Sequence, residues 1–243
     1  MSGAASRSLL RIQERFVSLQ GEGSLVGVPS SFVRVSGCNL RCVWCDSPAT
    51  SWAPEGVQAE VDEIVDFCRR GPPHVVLTGG EPLLFPALAE LTRRLRAAAH
   101  HITIESAGTV WLDDLACDLI SLSPKLAHST PWERDPRWAR AHEGRRLDVA
   151  NLRRLLGAFP WQLKFVVRGE EPGLSEDLEE IESLLTTLEV EGAARAQVFL
   201  MPETVDPGAL AVAYRRIGVA CVERGFRLGQ RLHIQLYGHT PGT

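Results

Sequence analysis

No apolar run in the 243 residues approaches the roughly 20 that a membrane helix needs. The opening stretch MSGAASRSLLRIQERF also lacks the apolar core of a signal peptide, so a cytosolic protein with no membrane partner is expected. A basic stripe is missing too. Lys and Arg total 26 against 30 Asp and Glu, for a net charge of −4, and they are scattered, which excludes the usual nucleic-acid surface and favours a small-molecule or protein partner. There is no sequence repeat and no low-complexity tract. The six cysteines are unevenly placed, three crowded and three isolated, which argues against a disulfide framework. Cys68 and Cys221 fall on apolar helical faces and Cys117 precedes an apolar run, so all three read as small buried hydrophobes.

What is present is a chain 44% apolar and 23% charged, suited to one larger domain over residues 1–243. After a short strand-like opening at Phe16–Leu19, apolar β-branched runs alternate with amphipathic helical patterns. Strands are expected at Phe32–Val35, Val75–Thr78, Ile102–Glu105, Leu119–Leu122, Gln162–Val167, Gln197–Leu200 and Leu232–Leu236. Helices are expected at Val61–Arg69, Leu84–Ala99, Leu147–Phe159, Ser175–Leu188 and Gly208–Arg224, with a short helical turn at Leu112–Ala116. Repeated βα units imply a parallel sheet with helices outside it, and six units plus a closing strand give a partial (β/α)6 TIM-like barrel. A charged, Trp-containing insertion at 129–146 interrupts the pattern as a lid or an interface.

The unusual residues fall at the C-terminal ends of these strands, where parallel α/β folds build active sites. GCNLRCVWCDSPAT follows the first strand, TGGEP the second, ESAGT ends the third, SPK the fourth and MPET the sixth. Cys38, Cys42 and Cys45 lie within eight positions. A Cys3His zinc site would accept three thiolates, but structural zinc sites are usually built from two separated pairs, and no second pair appears. A [4Fe-4S] cube normally takes four thiolates, so a cube held by three has one open iron.

The Cys-x3-Cys-x2-Cys spacing, with Trp44 before the last cysteine, resembles the signature of the radical S-adenosylmethionine superfamily. There the methionine moiety of the cofactor fills the open corner, and one electron from the cluster releases a 5′-deoxyadenosyl radical. SLQGEGSLVGVPSSFVRVSGCNLRCVWCDS, Ser18–Ser47, together with TGGEP, ESAGT and SPK in order, resembles the 7-carboxy-7-deazaguanine synthase family more narrowly. The resemblance implies ring contraction of 6-carboxy-5,6,7,8-tetrahydropterin to 7-carboxy-7-deazaguanine with loss of ammonia, in queuosine and deazapurine biosynthesis. It also implies Mg2+, a flavodoxin or ferredoxin reductant and a homodimer.

Carried onto this chain, the resemblance makes Leu19, Gln20, Gly21 and Thr78 substrate contacts, with Arg34 pairing the substrate carboxylate through its guanidinium fork. Ser47 stands where the family usually has threonine and keeps the hydroxyl that would ligate magnesium; a serine before Pro48 also suits a turn cap. Cofactor contacts are expected at Trp44, Cys45, Asp46, Gly80, Glu81, Ser106, Ser123, Pro124, Lys125, Lys164, Met201 and Glu203, although Met201 also reads as core and Lys125 as a solvated charge. In WQLKFVV, Gln162 and Lys164 share a polar face directed to the barrel interior. His233, Gln235 and Thr243 near the C-terminus are substrate candidates, against a satisfied interior histidine and a frayed end. Two other functions compete. A glycyl-radical activating enzyme shares the cysteine spacing, but LQGEG joined to Arg34 suits a small carboxylate-bearing substrate. A non-catalytic iron–sulfur carrier would need a fourth cysteine ligand from Cys68, Cys117 or Cys221.

Overall fold

The computed structural model of the protein describes residues 8–243. Strand β1 (Leu9–Leu19) leads into β2 (Pro29–Val35), and after the cysteine loop β3 (Val57–Glu60) and helix α1 (Val61–Arg69) follow. Then come β4 (His74–Gly79), α2 (Ala87–Ala97), β5 (His101–Ser106), β6 (Leu119–Leu122), α3 (Pro136–Glu143), α4 (Val149–Ala158) and β7 (Trp161–Val167). The chain ends through α5 (Gly173–Leu188), β8 (Val198–Pro202), α6 (Pro207–Arg224), β9 (Arg227–Leu228) and α7 (Leu232–Tyr237).

Nine strands form one sheet in the order β3-β1-β2-β4-β5-β6-β7-β8-β9. From β2 to β9 every neighbouring pair is parallel, so the six expected βα strands are present and β9 closes the series. The result is the mostly parallel sheet of a partial TIM-like barrel. The strand-like opening expected at Phe16–Leu19 is the end of the longer β1, which pairs antiparallel with both β2 and the unexpected β3 and adds an antiparallel edge in front of the barrel.

Alternation along each strand separates core from cavity. Val33, Val35, Leu77, Leu163, Phe165 and Val167 are buried in the main apolar core, while their neighbours Phe32, Arg34, Thr78, Lys164 and Val166 line the interior cavity. Lys164 points into the cavity as expected, while Gln162 on the same face is buried off it, accepting from Ser24 N–H and donating to Ser121 Oγ. Helix α1 packs Val61, Ile64, Val65 and Cys68 onto the sheet, and Cys117 and Cys221 join the same core.

Several local expectations are corrected. Residues Leu232–Leu236 form helix α7, not a closing strand. The Leu232, Ile234, Leu236 alternation imitates a strand, but only Ile234 of the three is buried and Leu236 is 53% exposed. The backbone leaves the sheet after Leu228 because Arg231 and Leu232 are bonded elsewhere, as described below. Leu112–Ala116 is a turn with Asp114 at φ 60°, not a helical turn. Helix α2 begins after Pro86, later than Leu84, because the Pro82–Leu84 stretch forms its own tight turn. The 129–146 segment is ordered around α3, with Asp135 accepting hydrogen bonds from the amides of Arg137 and Trp138 at its N-terminus.

Candidate active site

The C-terminal ends of the parallel strands surround a cavity of about 510 Å³. Its upper wall is the loop Gly37–Thr50, tied at the base: Gly37 N–H donates to Thr50 O at 2.9 Å, and Gly37 O accepts from Glu81 N–H at 2.9 Å. Gly37 itself adopts φ 133°, which favours glycine. Gly79 and Gly80 run directly beneath this loop. A Cβ on Gly79 would meet Val35 O at 2.2 Å, and one on Gly80 would meet Gly37 O at 2.2 Å and Cys38 Cβ at 2.7 Å. The TGGEP glycines are therefore required by the crossing of two backbone segments, in addition to any ligand that approaches them.

Cys38, Cys42 and Cys45 all line the cavity and pack with Leu40, Trp44 and Ala107. Burial pushes the Cys38 thiol up to about 11 and the Cys42 thiol up to about 12, so each stays protonated until a metal takes the proton's place. The described residues hold no group of three His, Cys, Asp or Glu side chains arranged about a single ion. A cube takes one cysteine on each of three irons, and three thiols lining one cavity suit it by their chemistry. Cys68, Cys117 and Cys221 sit in the main core and do not line the cavity, so no fourth protein thiol reaches the loop.

The neighbouring side chains suit an organic cofactor. Trp44 Nε1 is buried without a hydrogen-bond partner. Its ring stacks on His128 with centroids 5.7 Å apart, and Lys125 Nζ lies 5.7 Å from its centroid. Lys125 also donates to Ser123 O and Oγ, both at 2.8 Å. Ser106, Ser123, Lys125, Gly80, Asp46 and Met201 share the cavity wall. Pro124 and Glu203 do not line it; Glu203 instead lies 3.5 Å from His128 and its amide donates to Val167 O. Glu81 is also away from the cavity, because its fully buried carboxylate accepts from Ser106 Oγ and from the amides of Ala107 and Leu83. Burial raises its pKa against those hydrogen bonds. It is a strut joining the ends of β4 and β5.

The opposite end of the cavity is strongly polar. Of the chain's two lysines, Lys125 lies beside Trp44 on the cysteine side and Lys164 sits in this polar network. Lys164, 3% exposed, donates to Glu22 at 2.9 Å and to Glu105 at 3.0 Å. Glu105 also accepts from Thr78 at 3.0 Å and Gln20 at 3.4 Å. Burial would raise the Glu22 pKa, but Lys164, Arg231 and His233 outweigh it and hold the carboxyl at about 2. Burial likewise opposes the charge on Lys164, while Glu105 and Glu22 reverse that and raise its pKa.

Arg231 closes the network. Its guanidinium reaches Asp46 at 2.6 Å and Glu22 at 3.5 Å and donates to the carbonyls of Glu203 and Thr204. Its amide donates to Tyr214 Oη at 2.7 Å, and the Leu232 amide donates to Gly21 O at 2.9 Å. These bonds pull α7 over the cavity mouth. His233 consequently lies against Gly21, where a Cβ would meet its Nδ1 at 2.0 Å; burial lowers its pKa. Leu19, Gln20, Gly21, Thr78, His233 and Thr243 all line the cavity, whereas Gln235 is exposed and off it. The helix turns Gln235 away from His233, two residues being half a helical turn and not one strand period.

On the remaining wall, Arg34 Nε donates to Glu14 at 2.6 Å and its Nη1 lies 3.4 Å from Ser47 Oγ. Ser47 makes no side-chain cap for the Pro48–Thr50 turn. Its hydroxyl faces Asp46 at 3.3 Å. Glu14, Glu22 and Arg231 are cavity residues that sequence reasoning passed over. Glu22 stood inside LQGEG, and Arg231 lay at the edge of the stretch taken for a strand.

Comparison with known proteins agrees with this geometry. Residues 32–131 match the Radical SAM superfamily model. The chain is 43% identical to a 7-carboxy-7-deazaguanine synthase of Rhodopirellula baltica, covering 98% of this chain and 91% of that one. It is 45% identical to a 7-carboxy-7-deazaguanine synthase of Halobacterium salinarum, covering 96% and 93%. The crystal structure of QueE from Escherichia coli superposes with a TM-score of 0.67 at 26% identity, covering 93% of this chain and 95% of that one. Streptococcus suis SuiB bound to S-adenosylmethionine, at 12% identity and a TM-score of 0.54, shares the fold alone. With near-full-length relatives at these identities, the chain belongs to the 7-carboxy-7-deazaguanine synthase family of radical S-adenosylmethionine proteins.

Proposed function

We propose that this protein contracts the ring of 6-carboxy-5,6,7,8-tetrahydropterin to 7-carboxy-7-deazaguanine with loss of ammonia, a carbon–nitrogen lyase step of queuosine and deazapurine biosynthesis. The observation that carries the reading is one cavity holding three cysteine thiols at one side and an arginine, a lysine and two carboxylates at the other. Cys38, Cys42 and Cys45 would hold a [4Fe-4S] cluster, which together with S-adenosylmethionine would supply reversible hydrogen-atom abstraction.

The chain's own residues do the rest. Arg34 offers its guanidinium to the substrate carboxylate, with Nη1 giving up its long 3.4 Å bond to Ser47 Oγ. Glu22, Glu105, Gln20 and Thr78 present hydrogen-bonding groups of fixed orientation to the pterin edge, because Lys164 holds both carboxylates in place. On the cofactor side, Trp44 offers an aromatic face with an unused N–H, while Ser106, Ser123 and Lys125 offer polar contacts. Ser47 Oγ, beside Arg34 and Asp46, would give Mg2+ one hard oxygen ligand, with the substrate carboxylate and water completing its shell. His233 and the tail through Thr243 cover the mouth and limit water entry. The reading calls for a reduced flavodoxin or ferredoxin and a homodimer in the cytosol, with residues 129–146 as an insertion in a single domain.

The test is anaerobic reconstitution with iron and sulfide, reduction, and addition of the pterin, S-adenosylmethionine and Mg2+. Formation of 7-carboxy-7-deazaguanine is expected. Cleavage of the cofactor to 5′-deoxyadenosine without that product would retain the superfamily chemistry and remove the substrate.

A further inference from the structure

The three thiols on the cavity wall meet unequal surroundings. Cys42 packs with Leu40 and Ala107, and among the described residues no donor reaches its sulfur. Cys38 Sγ accepts from the Leu40 amide at 3.4 Å. Cys45 Sγ lies 3.2 Å from Ser51 Oγ. Among the described residues this is the one hydroxyl in contact with any of the three sulfurs.

Ser51 is 2% exposed and belongs to the cavity wall. Its backbone is held from several directions. Ser51 N–H donates to Pro48 O at 3.1 Å, and Ala53 N–H donates to the same carbonyl at 3.0 Å. On the preceding residue, Thr50 O accepts from Gly37 N–H at 2.9 Å and Thr50 Oγ1 donates to Ser47 O at 2.8 Å. On the following one, Trp52 Nε1 donates to Cys42 O at 2.9 Å. The turn therefore uses only the main chain of Ser51, and the hydroxyl has no other partner among the described residues. A buried hydroxyl that the local fold does not need, set against a ligand sulfur, points to a task at that sulfur.

The chemistry of the pair fixes the direction of the bond. With iron on its sulfur, Cys45 is a thiolate with no proton to give, so Ser51 Oγ–H is the donor. A reduced cluster carries one more negative charge than an oxidised one, and part of that charge resides on the thiolate sulfurs. A donor at such a sulfur favours the reduced state, and hydrogen bonds to the sulfurs are among the factors that set a cluster's potential.

We propose that Ser51, acting through Cys45, is a positioning residue whose hydroxyl dipole sets how readily the cluster accepts its electron. The inference rests on the radical reading above, which places a [4Fe-4S] cluster on these cysteines. In the step concerned the oxidised cluster takes one electron from an external low-potential reductant; no bond forms or breaks, and the hydroxyl proton stays on Ser51 Oγ. Such outer partners tune a metal centre without ligating it.

The test is the midpoint potential of the reconstituted chain without S-adenosylmethionine. It is titrated anaerobically with dithionite through mediator dyes, followed by the electron paramagnetic resonance of the reduced cluster, and paired with iron and sulfide analysis. Ser51→Ala should make the cluster about ten-fold harder to reduce, a fall of about 59 mV for one electron, with iron and sulfide content unchanged. Ser51→Thr keeps the donor and should return the parental potential. Ser36→Ala is the control. Ser36 is also 2% exposed, stands two residues before Cys38 and has a hydroxyl without a partner, so its loss should leave the potential unmoved. Should the alanine chain hold less iron, Ser51→Thr and Ser51→Val supply the comparison, being alike in shape and different in the hydroxyl. Equal potentials in Ser51→Ala and the parent, or in the threonine and valine variants, overturn the proposal. So does a rise in potential on losing the hydroxyl, or an equal fall in Ser36→Ala. A parent chain that assembles no four-iron cluster sinks the radical reading and the proposal together, whereas an intact cluster with an unmoved potential removes Ser51 alone.

Discussion

Arg34 and Glu14 face each other across the antiparallel β1–β2 pair, with Arg34 Nε donating to Glu14 Oε1 at 2.6 Å. The contact occupies the Nε edge of the guanidinium, Nη1 donates to Ser47 Oγ at 3.4 Å, and the residue lines the cavity. A charged hydrogen bond of this kind contributes about 1.5–3 kcal/mol in partly buried surroundings. Glu14 therefore orients the fork that the substrate carboxylate would use.

Arg34→Lys keeps the charge and removes the fork, so the Michaelis constant for the carboxypterin should rise about ten-fold or more with cluster content unchanged. Glu14→Gln should raise it by a smaller factor, since the amide still accepts from Nε. Steady-state kinetics with parallel iron analysis checks both. A larger effect from Glu14→Gln than from Arg34→Lys would make Glu14 the substrate contact.

Lys164→Met leaves Glu22 and Glu105 buried without the cation between them. Breaking a buried pair on one side costs about 3–5 kcal/mol, and urea denaturation should show a loss of that order. Adding Glu22→Gln to Lys164→Met should recover part of it, because one uncompensated charge is then gone. Full additivity of the two losses would mean that they do not share a network.

The same network sets an acid limit. Glu22 is held at about 2 against an ordinary value of 4.5. Its contribution is thus present above about pH 4.5 and disappears as pH falls toward 2. The parent should lose stability more steeply across that window than Glu22→Gln, whose amide does not titrate. Parallel slopes in the two proteins would show that Glu22 is not held low.

Much of the fold was legible because β-branched runs and helical faces alternate, and burial on both sides of a parallel strand leaves a plain signature. The cysteine loop was legible for another reason: its spacing is local. What escaped depends on distant pairing. Arg231 meets Asp46 across 185 positions and Glu22 across 209, and neither charge announces its partner in sequence. Helix α7 was misread because six residues carry too little pattern to separate one buried Ile234 from a strand face. The TGGEP glycines were recognised as a place of close approach, but the backbone they approach is that of Val35 and Gly37, a fact of tertiary crossing.

That crossing makes Gly80→Ala a sharp probe. The added methyl would meet Gly37 O at 2.2 Å and Cys38 Cβ at 2.7 Å, so the cysteine loop must shift. Iron and sulfide incorporation should fall at least several-fold, with the global unfolding transition retained, since the clash is at a loop and not in the main core. Gly157→Ala is the control: nothing lies within 4 Å of its Cβ position in α4, and it should be neutral or stabilise by about 0.5–1 kcal/mol. Normal cluster loading of Gly80→Ala would show that the loop has slack at this crossing.

Ser47 decides the magnesium question. Its hydroxyl is free of the capping role that the Pro48 turn offered and faces Arg34 and Asp46. If it ligates Mg2+, Ser47→Ala should raise the magnesium concentration for half-maximal turnover, while iron content and cofactor cleavage in the absence of substrate stay at parental levels. Ser47→Thr keeps the ligand and should restore the parental dependence, a rescue that a purely structural serine would not require, because alanine is the smaller perturbation of packing. The contrast is informative because Cys45 is two residues away. A general disturbance of the loop would lower iron loading in both variants, whereas loss of one hard oxygen ligand changes magnesium dependence alone. Equal losses of iron and of magnesium response in Ser47→Ala would assign the residue to the cluster loop and leave the metal without a side-chain ligand there.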